Sequence, residues 1–218
     1  MQTVDKTKSY INHLKTALLF VVLLGSSHIA SAQDSLASVL AQVVKQKLIV
    51  LEYREVKHIV YLQDPIEASG RMFLAGEKFV LEQKEPKRQL VAADKHRFRL
   101  YMPDKKLRYS KMITSPQVQK NMQLFKPLMS GDKQALEAVF DTQFSVLTDD
   151  SWLLKLTPKD TKHSKIVHIR IQGKQAQAAH SAVIEMGNGS ISEWFFRLMP
   201  ESKANQAVME KLLAESKG

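Results

Sequence analysis

The sequence predicts a mainly β (α+β) fold: a curled, incompletely closed antiparallel barrel with short helices forming a lid over its concave apolar face. Three observations lead there. Period-two apolar runs fill 48–111 and resume from 143 to 199, with Gly, Pro, Asp and Asn turns between them. No helical stretch of about 10–15 residues separates consecutive strands, which excludes a parallel α/β sheet. Amphipathic helical spacing is confined to short segments before, between and after the strand runs, and the two helices inserted between the runs have to lie across one face of the sheet.

Size and composition agree with this. At 218 residues, 44% hydrophobic and 25% charged, the chain makes about one globular domain. It contains no cysteine, which removes disulfides, thiolate metal sites, thiol nucleophiles and a lipidated cysteine together.

Lys6, Lys8 and Lys15 precede an uncharged run, Thr16 to Leu24, followed by small residues ending Ala30-Ser31-Ala32. Residues 1–32 read as a secretory signal peptide cut after Ala32, because the apolar run falls far short of the roughly 20 residues that span a bilayer. The remainder divides into a domain over 33–200 and a helical tail over 201–218. The net charge of +10 mostly survives that cleavage. Export turns it away from nucleic acid and towards anionic lipid or an acidic partner.

Leu36, Val39, Leu40 and Val43 make one helical face, capped by Asp34 or Ser35. Phe79 and Leu81 alternate with Lys78, Val80 and Glu82, and Phe98 and Leu100 with Arg97, Arg99 and Tyr101, giving each strand one apolar face. Ser115-Pro116 opens a second helix with Val118, Met122, Phe125 and Met129, ended or kinked by Pro127. Gly131-Asp132 caps a third carrying Leu136, Val139 and Phe140. Strands return at Gln143–Leu147, Trp152–Leu156, Lys165–Gln172, Ser181–Met186 and Ser190–Met199, the last two joined by the hairpin signal Gly187-Asn188-Gly189. In Lys165–Gln172, Val167, Ile169 and Ile171 are set against His168, Arg170 and Gln172. The tail carries Val208, Met209, Leu212 and Leu213 in a weak helix.

Chemistry-bearing motifs are sparse. There is no G-x-S-x-G, phosphate-cradling glycine loop or H-E-x-x-H. His163 and His168 differ by an odd number and would face opposite ways on one strand, so they cannot share a metal. Asp149-Asp150 and Glu52/Glu55 are the closest carboxylate groupings, and both read as solvated structure rather than as an acid pair. The chain is therefore expected to be no enzyme and to use no metal or cofactor. Adaptable methionines, among them Met72, Met102, Met122, Met129 and Met186, accompany a curled sheet and covering helices, a combination that predicts an apolar ligand cavity.

The order of motifs resembles the outer membrane lipoprotein carrier protein family, the LolA-like periplasmic chaperones. Leu36 and Leu40 match its first helix; Tyr53 to Lys57, Leu62, Pro65 and Gly70-Arg71-Met72-Phe73 its next two strands. Leu81, Pro86, Leu90-Val91 and Asp94 follow its strand-turn-strand, Trp152 to Pro158 its W-x-L-x-L-x-P strand, and Gly187-Asn188-Gly189 its last hairpin. The likeness spans about 33–199. Ala75-Gly76-Glu77-Lys78 stands where better-known members carry an Arg-Pro pair that helps latch the lid, and the tail lacks the family's aromatic, proline-containing ending. The chain thus resembles a divergent paralogue.

The resemblance implies a monomeric periplasmic carrier of a Gram-negative cell. It would shelter the acyl chains of a lipoprotein or related lipid, taking cargo from an inner-membrane transporter and passing it to an outer-membrane acceptor. Candidate cavity residues are Leu40, Phe79, Leu81, Phe98, Leu100, Met122, Phe125, Leu136 and Phe140, each on an apolar strand or helix face. The alternative is a periplasmic adaptor or sensor that uses the same fold to bind protein.

Overall fold

Chain segments 36–44, 47–114, 132–147, 151–162, 164–174 and 179–217 are described by the structure, a computed structural model. Helix α1 (Leu36–Val44) precedes strands β1 (Ile49–His58), β2 (Ile66–Ala75), β3 (Lys78–Glu85), β4 (Gln89–Ala93), β5 (Arg97–Met102) and β6 (Leu107–Met112). Helix α2 (Lys133–Val139) leads into β7 (Phe140–Val146), β8 (Ser151–Pro158), β9 (Ile166–Lys174), β10 (Ala179–Met186) and β11 (Ile191–Met199), and α3 (Lys203–Lys217) ends the chain.

The strands form one eleven-stranded antiparallel sheet in the order β6-β5-β4-β3-β2-β1-β11-β10-β9-β8-β7. Two meanders, β1–β6 and β7–β11, are thus joined through a long ladder in which Val50 opposes Met199 and His58 opposes Ile191. Strands β6 and β7 remain as unjoined edges, so the barrel is not closed. Local chemistry sets the turns: Gly76 (φ 56°) and Gly189 (φ 80°) supply the left-handed backbone that the β2–β3 and β10–β11 connections need.

Each face carries its own apolar cluster. The inner face collects side chains from all eleven strands, with Leu36, Val39 and Leu40 of α1 and Leu136 of α2 packed on it. The short covering helices therefore lie where the spacing predicts. Asp132 caps α2, its carboxylate accepting from Gln134 N (2.9 Å) and Ala135 N (3.1 Å).

On the outer face, Val50, Phe73, Val80, Leu90 and Ala92 are buried beneath Met209, Leu212 and Leu213 of α3. This departs from the expectation of one apolar face per strand: β4 is buried at every position. The tail supplies the reason, since its leucines dock instead of standing in water. Ion pairs frame that docking. Buried Glu82 is shared by Arg71 (3.0 Å) and Arg88 (3.3 Å), and Arg88 also donates to Glu215 of α3 (2.8 Å). Arg108 donates to the Glu215 carbonyl (2.8 Å) while lying 3.8 Å from the centre of the Tyr101 ring.

Two local expectations are corrected. Phe140 is not helical: its φ of −122° and ψ of 145° are extended, and it ends α2 by starting β7. At the start of β9 Ile166 is the buried residue, whereas Val167 is 41% exposed. A register shift between Glu185 and Met186 in the β9–β10 ladder breaks the alternation between Ile166 and His168, so the in/out pattern holds at Ile169 and Ile171 and fails at Val167. The segment with Val118, Met122, Phe125 and Met129 lies outside the described residues.

If burial holds α3 on the sheet, Leu213→Ala should lower unfolding stability by about 2–4 kcal/mol. Lys78→Ala, which breaks an exposed pair with Glu210, should cost less than about 1 kcal/mol. Urea unfolding followed by circular dichroism checks both, and equal losses would contradict the burial account.

Candidate functional site

The inner face is the largest apolar surface the strands build. Alternation places Ile49, Leu51 and Tyr53 of β1 on it, opposite Leu74 and Met72 of β2 and, on the other side, Phe196 and Leu198 of β11. Across β3–β5, Leu74 meets Phe79, Leu81 meets Val91 and Ala93 meets Phe98. Aromatic contacts continue it towards both meanders: Tyr53 and Trp194 rings lie 5.1 Å apart, and Phe144 and Trp152 rings 6.1 Å apart. Gly173 lets the Trp152 indole lie flat on the sheet, since a Cβ there would stand 2.2 Å from the ring.

Towards one end of the central strands this face changes character. The inward row of β1 runs Ile49, Leu51, Tyr53 and then Glu55 and Lys57; that of β11, read the same way, runs Phe196, Trp194 and then Ser192, which opposes Lys57. On β3 and β4 the apolar pairs give way to Gln83 opposite Gln89. The polar residues are wired together. The Trp194 indole N–H donates to the Ser192 hydroxyl (2.9 Å), and that hydroxyl donates to the Glu55 carboxylate. Burial pushes the Glu55 carboxyl above its ordinary 4.5, outweighing the Ser192 hydrogen bond that lowers it. Burial likewise lowers Lys57, partly offset by the nearby Glu55 charge.

Seven of the predicted cavity residues, Leu40, Phe79, Leu81, Phe98, Leu100, Leu136 and Phe140, come together in this one inner cluster. Met122 and Phe125 lie outside the described residues. Sequence reading missed Glu55, Lys57 and Ser192 as a group on this face. The period-two spacing of Tyr53, Glu55 and Lys57 was visible, but their meeting with Ser192 depends on the long-range β1–β11 register. The carboxylates Glu52 and Glu55 do not form an acid pair. Three positions apart on one strand, they face opposite ways, and Glu52 accepts from Arg197 outside (3.0 Å). Asp149 and Asp150 lie outside the described residues.

Among the described residues no three His, Asp or Glu side chains gather as a metal site, and no helix is long and apolar enough to cross a membrane. No protein-family model matches the chain, and no curated protein matches it by sequence. Solved structures do resemble it. A DUF1329 family protein from Desulfovibrio piger aligns at TM-score 0.43 and 10% identity, over 77% of this chain and 91% of that one. A LolA superfamily protein from Nitrosomonas europaea aligns at TM-score 0.39 and 9% identity, over 74% and 90%. The lipoprotein LppX from Mycobacterium tuberculosis aligns at TM-score 0.38 and 9% identity, over 74% and 90%. Likenesses of this degree decide neither ligand nor partner, which have to come from the two faces of the sheet.

The raised Glu55 pKa has a measurable consequence. A carboxyl that holds its proton more tightly folded than unfolded loses folding stability as pH rises from about 4.5 through the folded value. Glu55→Gln keeps an acceptor for Ser192 and removes the titration. Its stability relative to the wild type should rise between pH 4 and neutrality, measured by urea unfolding across pH; a pH-independent difference would place Glu55 in a water-like setting.

Proposed function

We propose that the protein is a periplasmic carrier that shelters the acyl chains of a lipoprotein or related lipid on its inner face. It would move that cargo from an inner-membrane donor to an outer-membrane acceptor. The observation that carries this reading is the inner face itself, an apolar floor drawn from every strand of an unclosed sheet that turns polar at one end. An amphipathic ligand matches that gradient, with its chain over Leu51, Leu81 and Ile171 and its headgroup beside Glu55, Lys57 and Gln83. Acyl burial provides the driving force, about 0.8 kcal/mol for each CH₂ removed from water, with no nucleotide consumed by the carrier. Inward residues of the unjoined edges, Leu107 and Tyr109 of β6 and Phe144 of β7, are only partly buried against the cluster, as a face opened at its margin would have them.

The chain's two tryptophans, Trp152 and Trp194, both belong to the inner cluster, so energy transfer to a dansylated fatty acid reports occupancy. The wild type should show saturable transfer. Phe144→Glu, at a half-buried edge position, should weaken binding by about tenfold or more, since it places a charge where an acyl chain would lie, with the circular dichroism spectrum retained. A wild type that gives no saturable transfer would sink the carrier and favour an adaptor that binds protein.

A further inference from the structure

The loop joining β1 to β2 presents three consecutive apolar side chains to solvent: Val60 is 57% exposed, Tyr61 87% and Leu62 51%. Its shape is fixed. The Leu62 amide donates to the Ile59 carbonyl (2.9 Å), closing a turn with Val60 and Tyr61 at its tip. The loop also rests on the β10–β11 hairpin, where Val60 Cγ2 lies 3.0 Å from the point that a Gly189 Cβ would occupy. Burial cannot explain Tyr61, and a loop built only to link strands does not need Val-Tyr-Leu at its crest.

Charge identifies what faces it. Because the strands alternate in direction, the β1–β2, β3–β4, β5–β6, β8–β9 and β10–β11 connections share one rim. That rim displays Lys87, Lys105, Lys106, Lys159, Lys162 and Lys165, all exposed, against the carboxylates Asp64, Asp104 and Asp160. The apolar loop thus stands at an end of the strands whose connections carry more exposed lysines than carboxylates. It is also the end where the inner face turns polar at Glu55 and Lys57, and from it the inward residues of β2, Ile66, Ala68 and Met72, lead down to the core.

We propose that this rim docks on an anionic phospholipid surface, with Val60, Tyr61 and Leu62 entering the headgroup region and the lysines meeting lipid phosphate. A tyrosine flanked by aliphatic side chains and ringed by lysines suits the membrane interface, where an amphipathic ring and a positive fringe are both satisfied. Two weak signals acting together give reversible attachment, so a carrier could land, exchange and leave. Docking does not depend on what the inner face holds.

Co-sedimentation of the exported protein with phosphatidylethanolamine/phosphatidylglycerol vesicles, compared with phosphatidylcholine vesicles, tests the proposal. Binding should favour the anionic vesicles by about tenfold and weaken with added salt. The Tyr61→Ser, Leu62→Ser double variant should lose about tenfold in vesicle affinity while keeping the wild-type transfer signal with the dansylated fatty acid. Tyr61→Trp should shift its emission to the blue on anionic vesicles. Absence of vesicle binding, binding that the double variant retains, or a Tyr61→Trp emission that does not move would each overturn docking by this loop. Vesicle binding in a protein that takes up no fatty acid would overturn the carrier reading and leave the docking surface standing.

Discussion

The ladder between β1 and β11 is the interaction on which the remaining architecture depends. It joins the first and last strands of the chain's β region, turning two meanders into one sheet and leaving β6 and β7 as its margins. Closing so long a loop costs entropy that local turns do not, and the return lies in what the ladder assembles. Tyr53 meets Trp194 and Phe196 on the inner face, and Val50 meets Met199 on the outer one. Without this pairing the inner apolar surface is left as two separate halves, one in each meander.

From that surface the molecule's division of labour follows. On the outer face α3 seals Phe73, Val80 and Leu90, and the Arg88 bridge between Glu82 and Glu215 lies beside the seal. The inner face is larger, and among the described residues Leu36, Val39 and Leu40 of α1 and Leu136 and Val139 of α2 come to it from helices. The outer face is thus sealed by its own helix, and the carrier proposal assigns the ligand to the inner one. The buried hydrogen-bond chain from Trp194 through Ser192 to Glu55 marks where that ligand would have to become polar.

Much of the fold is legible in the sequence because it is written locally. The alternation of Phe79 with Leu81 and of Phe98 with Leu100, the hairpin glycines at 187 and 189, the Asp132 cap and the Leu36/Leu40 spacing each need only a few neighbouring residues to be understood. What escaped is non-local. Val167 obeys the period-two rule in sequence yet is displaced by a bulge that only the β9–β10 ladder imposes. Phe140 fits the helical spacing of Leu136 and Val139, but sheet pairing with Pro158 takes it into β7. The second apolar face of β4 makes sense only once a weakly amphipathic tail is known to dock there. The polar end of the inner face shows the same limit. Glu55, Ser192, Gln83 and Gln89 carry no motif, and it is the strand register that makes them neighbours.

Native mass spectrometry of the protein, purified without detergent and compared with a delipidated sample, tests the central claim most directly. The account predicts one acyl-bearing molecule per chain in the first sample, lost on delipidation and regained on incubation with lipid. The bare-chain mass in all three states would contradict it.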